Sequence, residues 1–322
     1  MQLQVKNINK SFGDKQVLKN INFTVTSGEA FGYLGRNGAG KTTSIRILTD
    51  IFRADSGEIS LDGAPINRSK VRIGYLPEER GLYPKSKVGE QMIYIAELRG
   101  MTRAAAKKSA QALLEKLGAI EYWDKKLETL SKGNQQKIQL AIAILHDPDI
   151  VILDEPFSGL DPVNAAMLRR LVSEQVEQGK IVMFSSHEMS YVEQFCEHIC
   201  IINKGEVVLD GRIKDIKRSY PRNRIGILPE GDTQELLDSM LRLGDVLRNV
   251  VSSDNIDITL SKSMNPVGII AAHRIKGEEI ELTLRDAADK SKLLQLLAEY
   301  PIDSIRVLEP SLEEIFVEKA GM

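Results

Sequence analysis

The sequence predicts an α/β nucleotide-binding fold: a P-loop domain interrupted by a helical block, followed by a small α+β domain of loosely ferredoxin-like order. Three observations carry this reading. Gly35-Arg36-Asn37-Gly38-Ala39-Gly40-Lys41-Thr42-Thr43 fits G-x-x-x-x-G-K-[ST] without a gap, between a short apolar strand and a segment with apolar residues at helical spacing. Ile150-Val151-Ile152-Leu153 and Ile181-Val182-Met183-Phe184 are unbroken apolar runs, as expected of parallel strands covered on both faces. Near Tyr220-Pro221-Arg222-Asn223 the texture changes, and short strands then alternate with helices.

The first of these sets the chemistry. Glycines let a backbone curl until successive N–H groups converge on phosphate oxygens, and the following helix adds its positive N-terminal end. Lys41 then reaches the β- and γ-phosphates, and the Thr42 hydroxyl ligates Mg²⁺. The expectation is nucleoside triphosphate binding by Gly35 through Thr43.

A length of 322 residues suits about two domains. Charged residues at 27% and hydrophobic ones at 42% are ordinary for a soluble chain, and a net charge of −2 offers no bulk attraction for nucleic acid. No apolar run approaches the ~18 residues needed to cross a bilayer. Met1-Gln2-Leu3-Gln4-Val5-Lys6-Asn7 alternates like a strand and lacks a signal-peptide core. Cys196 and Cys200 are the only cysteines, so a disulfide framework is not expected, consistent with the cytoplasm. They flank His198, but two thiols and one imidazole leave a fourth metal ligand unnamed, and a structural role is the better expectation.

In chain order, strands are expected over 3–9 and 17–25 around the turn Phe12-Gly13-Asp14-Lys15. Phe12 either stacks on a nucleotide base or caps this hairpin; the pattern does not choose. The P-loop helix is expected to end near Phe52. Strands follow over Glu58–Leu61 and Val71–Leu76, the second stopped by Pro77, and then comes a charged loop, 78–84. Helices are predicted over 88–99, 102–117 and 131–146, with Thr102 and Ser131 as N-caps and Gly100 and Gly118 as stops. This block, about 85–146, interrupts the strand–helix alternation. The alternation resumes with the strand at 150, a helix over Asp161–Gln178 with Pro162 in its first turn, and the strand at 181. Strands near 198–203 and 206–210 close a first domain, 1–219. The second, 220–322, reads as strands at 224–228, 245–251, 256–260, 278–284 and 302–308, helices at 233–242 and 286–298, and a terminal helix from Ser311.

In open α/β sheets, ligands sit beyond the carboxyl ends of the strands. Asp154 and Glu155 end one such strand: Asp154 is expected to hold Mg²⁺, and Glu155 to orient and deprotonate water. His187, beyond the end of the next strand, is placed beside the same crevice, where an imidazole steadies a γ-phosphate and the attacking water.

Taken together, these elements resemble those of ATP-binding-cassette (ABC) ATPases over about residues 1–215. The resemblance implies that Phe12 stacks on adenine and that Asp154 and Glu155 are the metal carboxylate and the catalytic base. It also makes Ser158-Gly159-Leu160-Asp161 the loop that crosses between subunits and His187 the switch histidine. Glu78, after Tyr75-Leu76-Pro77, stands where the family usually has the Gln that links Mg²⁺ to a transmembrane partner. Leu130-Ser131-Lys132-Gly133-Asn134-Gln135 stands where the family has Leu-Ser-Gly-Gly-Gln; Lys132 and Asn134 depart from it while Ser131 and Gly133 remain. The implied cofactors are ATP and Mg²⁺. The implied mechanism closes two cassettes head to tail, Ser131 and Gly133 of one chain completing the ATP site of the other. The implied partner is an integral membrane permease on a separate chain, met at the cytoplasmic face of the membrane through the helical block and the 78–84 loop.

The variants at 75–83 and 130–137, with the ending Pro310-Ser311-Leu312-Glu313-Glu314-Ile315-Phe316, resemble bacterial exporter ATPases that include the sodium-efflux type. The expected function is therefore the ATPase subunit of an exporter. A soluble ABC protein acting on ribosomes or DNA is the alternative, although such proteins usually carry two cassettes or long coiled-coil insertions. In a small-molecule P-loop kinase, the Ser131 motif and the Ser158–Asp161 loop would have no purpose.

Overall fold

The computed structural model describes residues 1–79, 81–157, 160–186, 188–242, 269–298 and 300–321. The chain forms two compact units: Met1–Ile213 joined by Leu312–Met322, and Lys214–Ser311.

In the first unit, β1 (Gln2–Phe12) and β2 (Lys15–Thr26) form the expected hairpin, longer at both ends than its apolar alternation indicates. β3 (Ala30–Leu34) leads into the P-loop and α1 (Lys41–Leu48), which stops four residues short of Phe52. β4 (Ser56–Leu61) and β5 (Ala64–Pro65) join the hairpin in an antiparallel sheet of order β2-β1-β4-β5. β6 (Ile73–Leu76) begins the other sheet's far edge. The helical block follows as α2 (Val88–Leu98), α3 (Arg103–Lys116) and α4 (Lys132–Ile144). Thr102 and Ser131 cap α3 and α4 as expected, each hydroxyl accepting the N–H three residues on.

Then come β7 (Ile150–Asp154), α5 (Pro162–Glu177), β8 (Ile181–Ser185), α6 (Met189–Phe195), β9 (His198–Asn203) and β10 (Glu206–Arg212). The second sheet runs β10-β9-β3-β8-β7-β6, parallel except for β10. Every residue of β3, β7 and β8 is buried, which accounts for their continuous apolar sequences. Aromatic rings join the two sheets: Phe23 of β2 lies 5.6 Å from Phe31 and 5.1 Å from Tyr33 of β3, centroid to centroid. The Tyr33 hydroxyl donates to Ser44 Oγ at 2.9 Å inside this core, which fixes α1 to the strand before it.

α7 (Ile213–Ser219), not anticipated from the sequence, leads out of the first unit. The second unit holds β11 (Arg224–Pro229), α8 (Thr233–Arg242), β12 (Ile270–Lys276), β13 (Glu279–Leu284), α9 (Lys290–Leu297) and β14 (Ile302–Val307). Its sheet is antiparallel, β12-β13-β11-β14, and with the two helices it gives the β-α-β-β-α-β succession of a ferredoxin-like unit. β12 is a strand the sequence reading lacks, and the expected strands at 245–251 and 256–260 lie outside the described residues. α10 (Leu312–Ala320) returns to the first unit and packs on α6, β9 and β10, whereas the sequence reading assigns it to the C-terminal domain.

Cys196 and Cys200 are buried free thiols, and burial pushes both well above their usual range. His198 Nε2 is instead 2.9 Å from Asp210 Oδ1, and no metal-holding cluster of acidic, His or Cys side chains occurs among the described residues.

Candidate nucleotide site

The carboxyl ends of β3, β7 and β8 converge because the strands are parallel neighbours, and the pairing of Asp154 with Ser185 sets the level of the site. Gly40 turns the chain from loop to helix at φ 112°, and a Cβ there would stand 2.7 Å from Leu18 Cδ2, so only glycine fits. Lys41 follows at the first position of α1. It is 8% exposed, and its Nζ donates to the Gly35 carbonyl at 2.5 Å, which holds the ammonium across the mouth of the loop.

A cleft of about 680 Å³ opens over this loop. Of the expected residues it brings together Arg36, Asn37, Gly38, Gly40, Lys41, Thr42, Thr43, Glu78 and Glu155. It adds Lys15, Gln16, Val17, Lys19 and Lys204, which no motif pointed to. Five cations thus face two carboxylates, the balance a bound polyanion needs. Gly35 and Ala39 are buried in the same loop, with the Ala39 N–H on the Arg36 carbonyl at 3.0 Å.

Glu155 has φ 51°, a left-handed backbone that a residue with a Cβ adopts at some cost. Its N–H donates to the Ser185 carbonyl at 3.1 Å, which turns the residue away from the strand direction and into the cleft wall. Asp154, one residue earlier, is 1% exposed. Oδ1 accepts the Ser185 hydroxyl, while Oδ2 is buried with no hydrogen-bond partner. Burial pushes this carboxyl above its usual range and the Glu78 charge adds to that; Ser185, Lys41 and Arg46 pull the other way. Such an orphaned carboxylate oxygen beside a phosphate loop is the donor that a hard cation takes up, so the residues present fit Mg²⁺. Ser185 is the partner that sequence reasoning missed; a Ser at the end of an apolar strand carries no signal of what it faces.

Arg46 of α1 was also missed. Its guanidinium lies 5.6 Å from the Phe52 ring centroid and beside Tyr75, whose phenol is pushed up to about 12, mainly by burial and then by the Asp154 charge. Phe12 does not line the cleft. It stands half-exposed at the hairpin end, edge-on to Phe52 at 5.5 Å, with Lys15 of the same turn on the cleft wall.

Ser131 and Gly133, at the start of α4, and Asp161, the N-cap of α5, do not line this cleft. Asp161 Oδ1 accepts the Asn164 N–H at 2.9 Å. A Cβ on Gly133 would meet Asn164 Nδ2 and Leu160 Cδ2 at 3.4 Å each, so the two helix starts are neighbours. Asn134 donates through Nδ2 to the Tyr122 hydroxyl at 2.9 Å, a brace within the helical block. Ser158, Gly159 and His187 lie outside the described residues.

The family described as ABC transporter matches residues 18–158, and the family described as ATP-binding protein DrrA1-3-like, C-terminal domain, matches residues 245–320. The ABC transporter ATP-binding protein YhaQ of Bacillus subtilis is 38% identical over 320 residues, covering 99% of this chain and 98% of that protein. The chain belongs to the ABC transporter ATP-binding proteins.

The linearmycin resistance ATP-binding protein LnrL of Bacillus subtilis is 32% identical over 99% of this chain and 98% of its own length. The Nod factor export ATP-binding protein I of Burkholderia lata is 34% identical over 65% of this chain and 70% of its own. Among solved structures, an ATP-binding subunit of an ABC transporter superposes with a TM-score of 0.63 at 29% identity, covering 68% of this chain and 93% of that one. A cassette in a post-hydrolysis state with ADP and Pi, at 24% identity and a TM-score of 0.59 over 66% of this chain and 98% of that one, shares the fold. This ABC protein is accordingly an ATP-binding ATPase, and its relatives include exporter-type subunits.

Proposed function

We propose that this ABC ATPase is the motor subunit of an exporter, working as a pair of cassettes on a separate membrane permease at the cytoplasmic face. The observation that carries the reading is the split of the site. The phosphate loop, Glu78 and Glu155 line one cleft, with Asp154 buried at the end of the strand before Glu155, while Ser131, Gly133 and Asp161 are outside its lining. A surface of that kind is half of a site, supplied in full when a second cassette presents its own α4 start. The solved cassette MJ0796 is described as a dimer, and its likeness to this chain lends the pairing support. The exporter reading draws on the likeness to the linearmycin resistance protein LnrL and to the Nod factor export protein.

In the closed pair Lys41 and the loop N–H groups bind the phosphates, and the loop's glycines allow that approach. Thr42, Glu78 and, directly or through water, Asp154 would hold Mg²⁺, which would supply neutralisation of phosphate charge. Glu155 orients a water molecule and takes its proton as the oxygen bonds to the γ-phosphorus and the bridging oxygen leaves with ADP. His187 steadies the same water and the γ-phosphate, and Phe12, outside the cleft lining but in the same turn as Lys15, is assigned to an adenine that extends beyond the phosphate cleft. Ser131 and its helix N-terminus bind the γ-phosphate from the partner cassette.

No helix among the described residues is long and apolar enough to cross a membrane. The permease contact is assigned to the loop of Tyr83 and to α2, where Tyr94 and Leu98 are exposed one turn apart. A pull-down of the tagged chain from detergent-solubilised native membranes tests the reading. A multi-span protein at near-equal stoichiometry supports it. Recovery with ribosomes, or from the soluble fraction alone, favours the soluble ABC class.

Two variants examine the metal side. Glu78 is exposed on the cleft wall, so Glu78→Gln keeps its reach and removes one charge. Hydrolysis within about threefold of wild type is expected, since a surface charge beside a screened site moves rates only modestly; complete loss would make the carboxylate itself essential.

Asp154→Asn should abolish Mg²⁺-dependent hydrolysis yet stabilise the nucleotide-free chain. A carboxyl whose folded value is raised favours folding below its unfolded value, and that contribution is lost as pH rises through the folded value. Above its folded value the ionised, half-satisfied Asp154 is therefore a burden. Its removal should raise the melting temperature by about 2–4 °C. The gap should close as pH falls into the carboxylate range. A lower melting temperature at pH 7 would refute this.

A further inference from the structure

The last helix of the chain does more than end it. Leu312 and Ile315 of α10 are fully buried on the first unit, and the Leu312 N–H donates to Glu193 Oε2 at 3.3 Å. A nine-residue helix is too short to persist alone, so this packing is what holds it. At its far end two carbonyls face the nucleotide side of the unit. Ala320 O accepts Asn203 Nδ2 at 2.9 Å, and Gly321 O accepts Arg36 Nη1 of the phosphate loop at 3.5 Å.

Asn203 ends β9 and opens the turn to β10. The turn is fastened to the same loop: the Gly205 N–H donates to the Ala39 carbonyl at 2.9 Å, and the Gly205 carbonyl accepts the Lys19 N–H at 2.7 Å. A Cβ on Gly205 would stand 2.2 Å from the Val17 carbonyl, so β2 closes against it. Between these anchors Lys204, with φ 49°, lies on the wall of the cleft that holds Lys41.

We propose that the carboxyl end of α10 is a positioning element of the nucleotide site. Through Asn203 it fixes the turn that presents Lys204 to the polyphosphate of the nucleotide. Lys204 is then a nucleotide-binding residue and Asn203 a positioning residue, both outside the motifs that define the site. The proposal rests on nucleotide binding by the cassette and is independent of which membrane partner the cassette drives.

The test is a calorimetric titration of the full chain with a β,γ-imido ATP analogue and Mg²⁺, alongside melting without nucleotide. Lys204→Ala should raise Kd about five- to tenfold, the scale of one charge-assisted contact. Asn203→Ala should raise it about three- to tenfold, with the nucleotide-free melting temperature within about 2 °C of wild type, because the bond is near the surface. Asn203→Gln, which keeps the donor, should recover most of the loss. In the double variant the losses should not multiply, since Asn203 acts through Lys204. A chain ending at Lys319, lacking both carbonyls, should match Asn203→Ala. Wild-type affinity in Lys204→Ala overturns the proposal. So does a full multiplication of losses in the double variant, which would make Asn203 a general scaffold.

Discussion

Glu155→Gln is expected to leave ATP binding intact and to slow hydrolysis about 10²–10⁴-fold, the usual contribution of a positioned general base. The substitution keeps the side-chain length and the backbone N–H on the Ser185 carbonyl, so the left-handed conformation at this position persists. What it removes is the proton acceptor. With chemistry stalled and the phosphate loop still competent, ATP accumulates between paired cassettes. The variant should therefore elute as a dimer in MgATP and as a monomer in MgADP. Size-exclusion chromatography with light scattering reads this directly. A variant that hydrolyses ATP at the wild-type rate removes Glu155 from the chemistry. One that stays monomeric in MgATP, while binding it, counts against the pairing that unites its cleft with Ser131 and Gly133.

What made this site legible in the sequence was locality. Gly35–Thr43 are consecutive, and Asp154 and Glu155 end an apolar run whose burial on both faces is written in its composition. The caps at Thr102 and Ser131 are likewise decided within four residues, whereas Asp161, expected as the first helical residue, is a cap too. The features that escaped depend on the register of distant strands. Ser185 meets Asp154 only because β8 pairs with β7 in one particular alignment. Lys204 reaches the cleft because a two-strand turn is bonded to Ala39 and Lys19, far away in sequence. α10 carries an ordinary amphipathic pattern that says a face must be buried, not on which unit. β12 escaped for a different reason: Ile270-Ala271-Ala272-His273-Arg274 mixes small and polar residues, and its strand character comes from pairing with β13. The main strands and helices of the first unit were thus readable from local pattern, while the return of the chain end to that unit was not.

Lys41→Ala should abolish detectable hydrolysis and weaken MgATP binding by at least about tenfold, the range for losing a hydrogen bond to a charged partner. The side chain is buried beneath the loop and its ammonium already spans to the Gly35 carbonyl, with Arg36 O at 3.5 Å. It is therefore ordered before the nucleotide arrives, and little freedom remains to be lost on binding. Removing it uncovers the Gly35 carbonyl at the mouth of the loop, where a phosphate oxygen would meet a bare dipole of the wrong sign. Two effects thus act together, the lost cation and the exposed carbonyl. Lys41→Arg separates them, because it keeps the charge. The guanidinium is planar and longer, and the space between Gly35 and α1 accommodates a compact ammonium. If charge alone mattered, the arginine variant would recover binding; the expected outcome is that it too stays at least about tenfold weak, since the scale of a mispositioned charge-assisted contact is similar. Fluorescence titration with a nucleotide analogue, with circular dichroism to confirm an unchanged fold, distinguishes these results. Wild-type hydrolysis in Lys41→Ala would dismiss the phosphate loop as the binding element.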